Sequence, residues 1–175
     1  MSIQNKSNII TGKSILNFPH LFKRNSNKNF NTENSKYGTT VIIPKDDNET
    51  LEKIRTAISY AIAQGGFSET EIIKTPLNDG DVIHPGETLY QNSMYLYASS
   101  AFKPKVVDHK LQDIEFRMDE FPSGTYAKVS IQFNPYNFNG KMGVSAELVN
   151  VQILPGNKLL EERAKPEDEF TVVDE

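Results

Sequence analysis

The sequence predicts a mainly β fold with one or two helices, its sheet curled toward a barrel. Three observations carry that expectation. Side chains across Thr125–Phe133 alternate with period two, the repeat of a strand that buries one face. A single stretch, from Asp47 or Asn48 to about Ala63, instead repeats its apolar residues at helical spacing. Gly12 interrupts the first apolar segment, as a bulge or bend does where a sheet curls.

The elements follow in order. Asn8–Phe18 (NIITGKSILNF) reads as the first strand, with Ile9, Thr11, Lys13 and Ile15 on one side. Pro19–Lys36, rich in Asn, Ser and Lys, reads as a loop, and Tyr37–Pro44 as a second strand closed by its proline. The helix carries Leu51, Ile54, Ile58, Ala61 and Ile62 along one stripe and stops at Gly65-Gly66. That stripe is expected to be core. Thr75–Asp81 (TPLNDGD) is a turn-rich connection; Asp79-Gly80-Asp81 lacks the further oxygen ligands and closing Glu of a calcium loop. Ser93–Ala101 is a third strand, with Met94, Leu96 and Ala98 expected inward and Tyr95, Tyr97 and Ser99 outward. Val106–Asp108 extends it briefly, and Leu111–Pro122 is acidic and has no assignable structure.

The last third is the clearest. In Thr125–Phe133, Ala127, Val129, Ile131 and Phe133 share the apolar face, while Tyr126, Lys128, Ser130 and Gln132 share the other. Tyr136 and Phe138 are expected in the loop that follows, where Asn139-Gly140 is a favoured type I′ hairpin pair. Met142–Leu154 is the final strand, and its alternation changes phase around Glu147–Val149, the mark of another bulge.

Length and charge bound the function. A chain of 175 residues suits one domain, placed at 1–158, followed by an acidic, flexible C-terminal tail at 159–175. Residues 161–175 hold seven acids and two bases, net −5, so the first 160 residues are net +1 although the whole chain is −4. With no cysteine, disulfides and thiolate metal sites are excluded. No apolar run approaches a membrane span and the polar start shows no signal peptide, so a soluble, intracellular protein is expected.

The outward faces set aromatic rings beside cations. Bases stack on rings while cations follow phosphates, so this pattern fits a single nucleic-acid strand. The candidate stacking residues are Tyr95, Tyr97, Tyr126, Tyr136 and Phe138; the candidate phosphate contacts are Lys13, Lys103, Lys105, Lys128 and Lys141. Each tyrosine also has a plain structural reading, half-buried with a wet hydroxyl. Before Glu33 the chain holds five basic residues and no acid, with Phe22 and Phe30 interleaved, and this loop is read either as a clasp or as ordinary solvated chain. In the tail, Glu167, Asp168, Glu169 and Phe170 are the candidate partner-binding residues.

Seven segments resemble, in order, a family of phage-encoded single-stranded DNA-binding proteins with an OB-fold: YGTTVIIPK (37–45), TPLNDGD (75–81), KPKVVD (103–108), GTYAKVS (124–130), YNFNG (136–140), LVNVQ (148–152) and PEDEF (166–170). The resemblance implies an OB-fold-like five-stranded barrel with elaborated loops. It also implies sequence-independent binding of single-stranded DNA in phage replication or recombination, in the cytoplasm of an infected host. An OB-fold usually carries its helix between the third and fourth strands, whereas here the helix follows the second, so strand one bends and counts twice or the fold is elaborated. By resemblance to other acidic C-terminal tails, this one occupies the DNA groove or docks on replication or recombination partners. A homo-oligomer is a further possibility.

Two other classes compete with this reading. A metal-dependent nuclease would use Asp108, Glu115, Asp119 or Glu120, but their spacing matches no nuclease motif. His20, His84 and His109 are scattered without metal-ligand spacing, and no cofactor or metal is expected. The third class is a phage structural or assembly β-barrel protein.

Overall fold

The computed structural model describes residues 6–25, 35–67, 72–114, 120–156 and 170–173. Nine strand segments occur among them: β1 (Asn8–Ile10), β2 (Ser14–Asn25), β3 (Lys36–Pro44), β4 (Ile73–Lys74), β5 (Asn78–Asp79), β6 (Ser93–Ser100), β7 (Lys105–Val107), β8 (Thr125–Phe138) and β9 (Lys141–Ile153). Two helices, α1 (Asn48–Gly65) and the short α2 (Gly80–Ile83), complete the described elements with a 3₁₀ turn over Thr88–Tyr90.

Five strands close a ring: β2 pairs β3, β3 pairs β6, β6 meets β9, β9 pairs β8, and β8 returns to β2. In barrel order this is first, second, third, fifth, fourth, the five-stranded OB-like closure. Only the β6–β9 seam is parallel, with Ser99 opposite Glu147, and the short parallel strands β4 and β7 extend β9 beside it. As the sequence indicates, α1 stands between the second and third barrel strands.

The first strand bends, but its two parts, β1 and β2, both pair with β8 and it counts once in the ring, so α1 keeps its place after the second barrel strand. Ile10 lies opposite Ser130 and Ser14 opposite Ala127, so four steps on one chain meet three on β8, leaving one extra residue at Thr11–Lys13. The interruption is stitched by Thr11, whose backbone N–H donates to the Val129 carbonyl (3.0 Å) and whose Oγ1 accepts from Val129 N–H (3.0 Å). Gly12 is required by close approach: a Cβ there would stand 2.6 Å from the Asp47 carboxylate. Asp47 caps α1 by accepting from Thr50 N–H, and Thr50 Oγ1 accepts from Gly12 N–H at 2.8 Å, which ties helix start to bulge.

The inward set on β8 is the expected one, with Ala127, Val129, Ile131 and Phe133 all buried. They meet Leu51, Ile54 and Ile58 of the helix stripe, also buried, in one hydrophobic cluster. On β9 the phase change is also real. Ser130 faces Asn150 but Ile131 faces Leu148, so Val149 is the extra residue, and burial passes from Val144, Ala146 and Leu148 to Val151 and Ile153.

Two expectations need correcting. The segment after Phe18 is strand rather than loop: β2 runs on to Asn25, with register shifts that accommodate Pro19, and Phe22 is buried against Phe121 at 5.6 Å between ring centroids. Phe22 therefore cannot clasp a ligand, while Lys28 and Phe30 lie outside the described residues. Tyr136 and Phe138 are likewise in β8, paired with Gly143 and Lys141. The hairpin turn itself is the expected two-residue one, with Asn139 at φ 51° and Gly140 at φ 81°, both positive as type I′ requires.

Candidate nucleic-acid interface

Outward residues of neighbouring strands fall into rows by register, and these rows decide which candidates meet. Along the β7–β9–β8 wall, Lys105 stands opposite Asn150 and Asn150 opposite Ser130; Val107 stands opposite Gln152 and Gln152 opposite Lys128. The result is a groove of about 380 Å³ lined by Lys105, Lys128, Ser130, Asn150 and Gln152, with Ile10, Val107 and Leu111 as its apolar edges. No carboxylate among the described residues lines it. Two ammonium groups over amide and hydroxyl side chains can neutralise phosphates and hydrogen-bond a sugar–phosphate backbone.

Tyr126 stands two residues from Lys128 on β8, opposite Ile15. Lys13, displaced outward by the bulge, places its Nζ 4.3 Å from the Tyr126 ring centroid. One face of that ring is thus already covered by a cation.

Further round the barrel the tyrosines diverge. Tyr126, Ile15, Ile42 and Tyr95 form one continuous row across β8, β2, β3 and β6. Ile42 points outward yet is fully buried, because the segment after α2 folds back over this row. Tyr90 accepts a hydrogen bond from Asn17 Nδ2 at 2.9 Å and sets its ring 5.1 Å from Tyr95, which spans the site of Ile42. His84 stacks on Tyr90 at 4.1 Å and meets Tyr95 edge-on at 5.1 Å. Burial inside this cluster holds the Tyr95 phenol above its usual pKa. Tyr97, one row along, is 47% exposed.

The fold-back is pinned by Lys45, whose Nζ reaches Asp79 at 2.8 Å and Asp81 at 2.7 Å. Hydrogen bonds from Lys45 are the main reason both carboxyls titrate below their ordinary range and the ammonium above its own. The Asp79-Gly80-Asp81 carboxylates therefore have a resident cation. No cluster of three or more potential ligands that could hold a metal occurs among the described residues.

At the hairpin end, Tyr136, Phe138 and Lys141 come together with Lys74, Ile72 and Met142 around a recess of about 400 Å³, and Phe138 is 72% exposed. Lys103 follows Phe102, 79% exposed, on the connection that leads into β7. Phe170 is exposed, whereas Glu167, Asp168 and Glu169 lie outside the described residues. Nine of the ten barrel candidates thus divide among three places: the Lys105–Lys128 groove with Tyr126 and Lys13, the Tyr95–Tyr97 wall, and the hairpin recess with Tyr136, Phe138 and Lys141; Lys103 stands apart on the connection into β7.

A recess of about 900 Å³ between β1 and α1 mixes Lys6 and Lys53 with Glu49 and Glu52. Its charges cancel, so the smaller carboxylate-free groove is the better anion track. Sequence reasoning missed Asn150, Gln152 and Lys74, which only strand pairing brings beside the lysines. It also missed Tyr90, whose position over β3 follows from the fold-back.

Known proteins share this fold. A solved single-stranded DNA-binding protein from bacteriophage Enc34, in complex with ssDNA, superposes with a TM-score of 0.73 at 18% identity, covering 87% of this chain and 92% of that one. Gp2.5, a single-stranded DNA-binding protein encoded by bacteriophage T7, superposes with a TM-score of 0.58 at 14% identity, covering 90% and 97%. These likenesses establish a shared fold. A putative protein, p50, of Acyrthosiphon pisum secondary endosymbiont phage 1 is 32% identical over 127 residues, covering 67% of each chain. Since the family described as the Enterobacter phage Enc34 ssDNA-binding protein matches residues 7–175, the chain belongs to that family.

Proposed function

We propose that the chain binds single-stranded DNA without sequence preference and serves phage DNA replication or recombination in the cytoplasm of an infected host cell. The observation that supports this most is the convergence of Lys105 and Lys128 on a groove that no described carboxylate lines, with Tyr126 two residues from Lys128 on the same strand. Phosphates run past the two ammonium groups, and rings along the outer wall stack on bases. Stacking accepts any base, so affinity depends on strandedness and salt rather than on sequence.

Residues 1–158 form the binding domain and 159–175 an acidic appendage that competes for the groove or docks on partners through Phe170 and its flanking acids. The protein acts by binding rather than by catalysis. Two of the four candidate nuclease carboxylates already accept structural hydrogen bonds: Asp108 accepts from the N–H groups of Lys110 and Gln112, and Glu120 from those of Leu21, Phe22 and Lys23.

Titration of fluorescent oligo-dT, against duplex of the same length and at two salt concentrations, tests the proposal. Preference for the single strand with a steep salt dependence is expected, and equal binding to duplex refutes it. In the same assay with magnesium or manganese the labelled strand should stay intact.

A further inference from the structure

Two outer-wall tyrosines are seated in the same way. Tyr97 lies diagonally across from Gly38 on the paired strand, and a Cβ on Gly38 would stand 2.5 Å from its hydroxyl oxygen and 2.9 Å from its Cζ. Tyr136 stands directly opposite Gly143, where a Cβ would fall 2.5 Å from its hydroxyl oxygen and 2.6 Å from its Cζ. Carbon atoms do not approach so closely, so each ring occupies space that only a glycine leaves above the neighbouring strand. The tip of each ring is thus held against a neighbouring strand, while Tyr97 keeps 47% of its surface in solvent. That posture suits a base-stacking platform, because the ring is ordered before the base arrives.

We infer that Gly38 is a positioning residue for base stacking: it lets Tyr97 lie over β3 with its outer face toward the bound strand, and Gly143 does the same for Tyr136. The inference rests on the single-stranded DNA reading above and adds to it which rings meet bases and what orients them. Gly38 gives the cleaner test. At Gly143 a Cβ would also meet the Lys74 carbonyl oxygen at 2.6 Å, whereas at Gly38 the nearest backbone atom is the Ala98 carbonyl oxygen at 3.0 Å.

A ring that merely covers a glycine to stabilise the sheet would move stability alone. The deciding readout is therefore the ratio of affinities for oligo-dT and for an abasic strand of equal length, since the two differ only in bases. Tyr97→Ala and Gly38→Ala should each cut that ratio roughly fivefold or more, the loss of one stacked base. Neither should change the salt slope, and Tyr97→Phe should keep the ratio. In the Tyr97→Ala background the added Cβ meets no ring, so Gly38→Ala should leave the ratio of that background unchanged.

A Gly38→Ala protein that keeps its ratio while Tyr97→Ala loses it overturns the seat and leaves the DNA reading standing. A ratio that survives Tyr97→Ala overturns the platform as well. Should Gly38→Ala alone fail to fold, a double variant that also fails shows that the clash is not with Tyr97, and refutes the inference. Wild-type protein that binds no single strand removes the broader reading too.

Discussion

Replacing Lys105 and Lys128 together by glutamine removes both ammonium groups from the β7–β8–β9 groove while leaving a hydrogen-bonding side chain, one atom shorter, at each place. Each lysine that neutralises a phosphate on a single strand contributes about 0.7 to the slope of log affinity against log salt. Two of them contribute about 1.4, so the variant's slope should be shallower by that amount. Between 50 and 200 mM salt the ratio of wild-type to variant affinity should then fall about sevenfold. Both residues lie outward on strands whose buried face is untouched, so the melting temperature should hardly move. Fluorescence anisotropy of labelled oligo-dT at four or five salt concentrations measures the slopes. Parallel lines for the two proteins would show that phosphates do not run past these lysines, whatever the affinities.

Three other outcomes follow from the structure. Phe133→Ala empties a side chain only 1% exposed and should cost about 3–5 kcal/mol by denaturant titration; a loss below 1 kcal/mol would contradict the core assignment. The Lys45–Asp79–Asp81 latch should respond to pH at both ends. The carboxyl pKa values are lowered in the fold, so their contribution is in place above about pH 4, the unfolded value, and is lost as pH falls through the folded values. The Lys45 pKa is raised, so its contribution is in place below about pH 10.4 and is lost as pH rises through the folded value. Lys45→Met should flatten both limbs of a melting-temperature profile, and unchanged limbs would refute the latch. Truncation after Lys165 removes five acids and no base, and should raise single-strand affinity at low salt if the tail competes for the groove; unchanged affinity would remove the competition.

How much of this was legible in the sequence varies with distance along the chain. The face of β8, the helix stripe, the Gly12 bulge and the Val149 phase change are local periodicities, and each appears in the structure where the pattern puts it. The end of β8 was misread because Asn134-Pro135-Tyr136-Asn137 looks like a turn. Pro135 is tolerated there for a reason the sequence does not display. Phe133 N–H points toward β1, donating to Ser7, and the N of Pro135 points the same way past Asn8, where β1 begins, so its missing N–H breaks no pairing among the described residues. Pro19 was misread likewise, since its strand continues only through register shifts.

The site was harder to read than the fold. Which lysines belong on outward faces followed from alternation, but the partnership of Lys105 with Lys128 depends on a parallel pairing of β7 with β9. Tyr95 and Tyr97 look equivalent by period. They differ because a segment ending at Tyr90 folds over one and leaves the other half in solvent.

The central claim is that a single strand crosses the β7–β9–β8 wall. Titration of isotopically labelled protein with oligo-dT, followed by backbone and side-chain amide chemical shifts, tests it most directly. The side-chain amides of Asn150 and Gln152 and the backbone amides of Lys105, Lys128 and Ser130 should shift together and saturate together. Shifts confined to Lys6, Lys53 and Tyr60 in the groove between β1 and α1, with Asn150 and Gln152 unmoved, would contradict it.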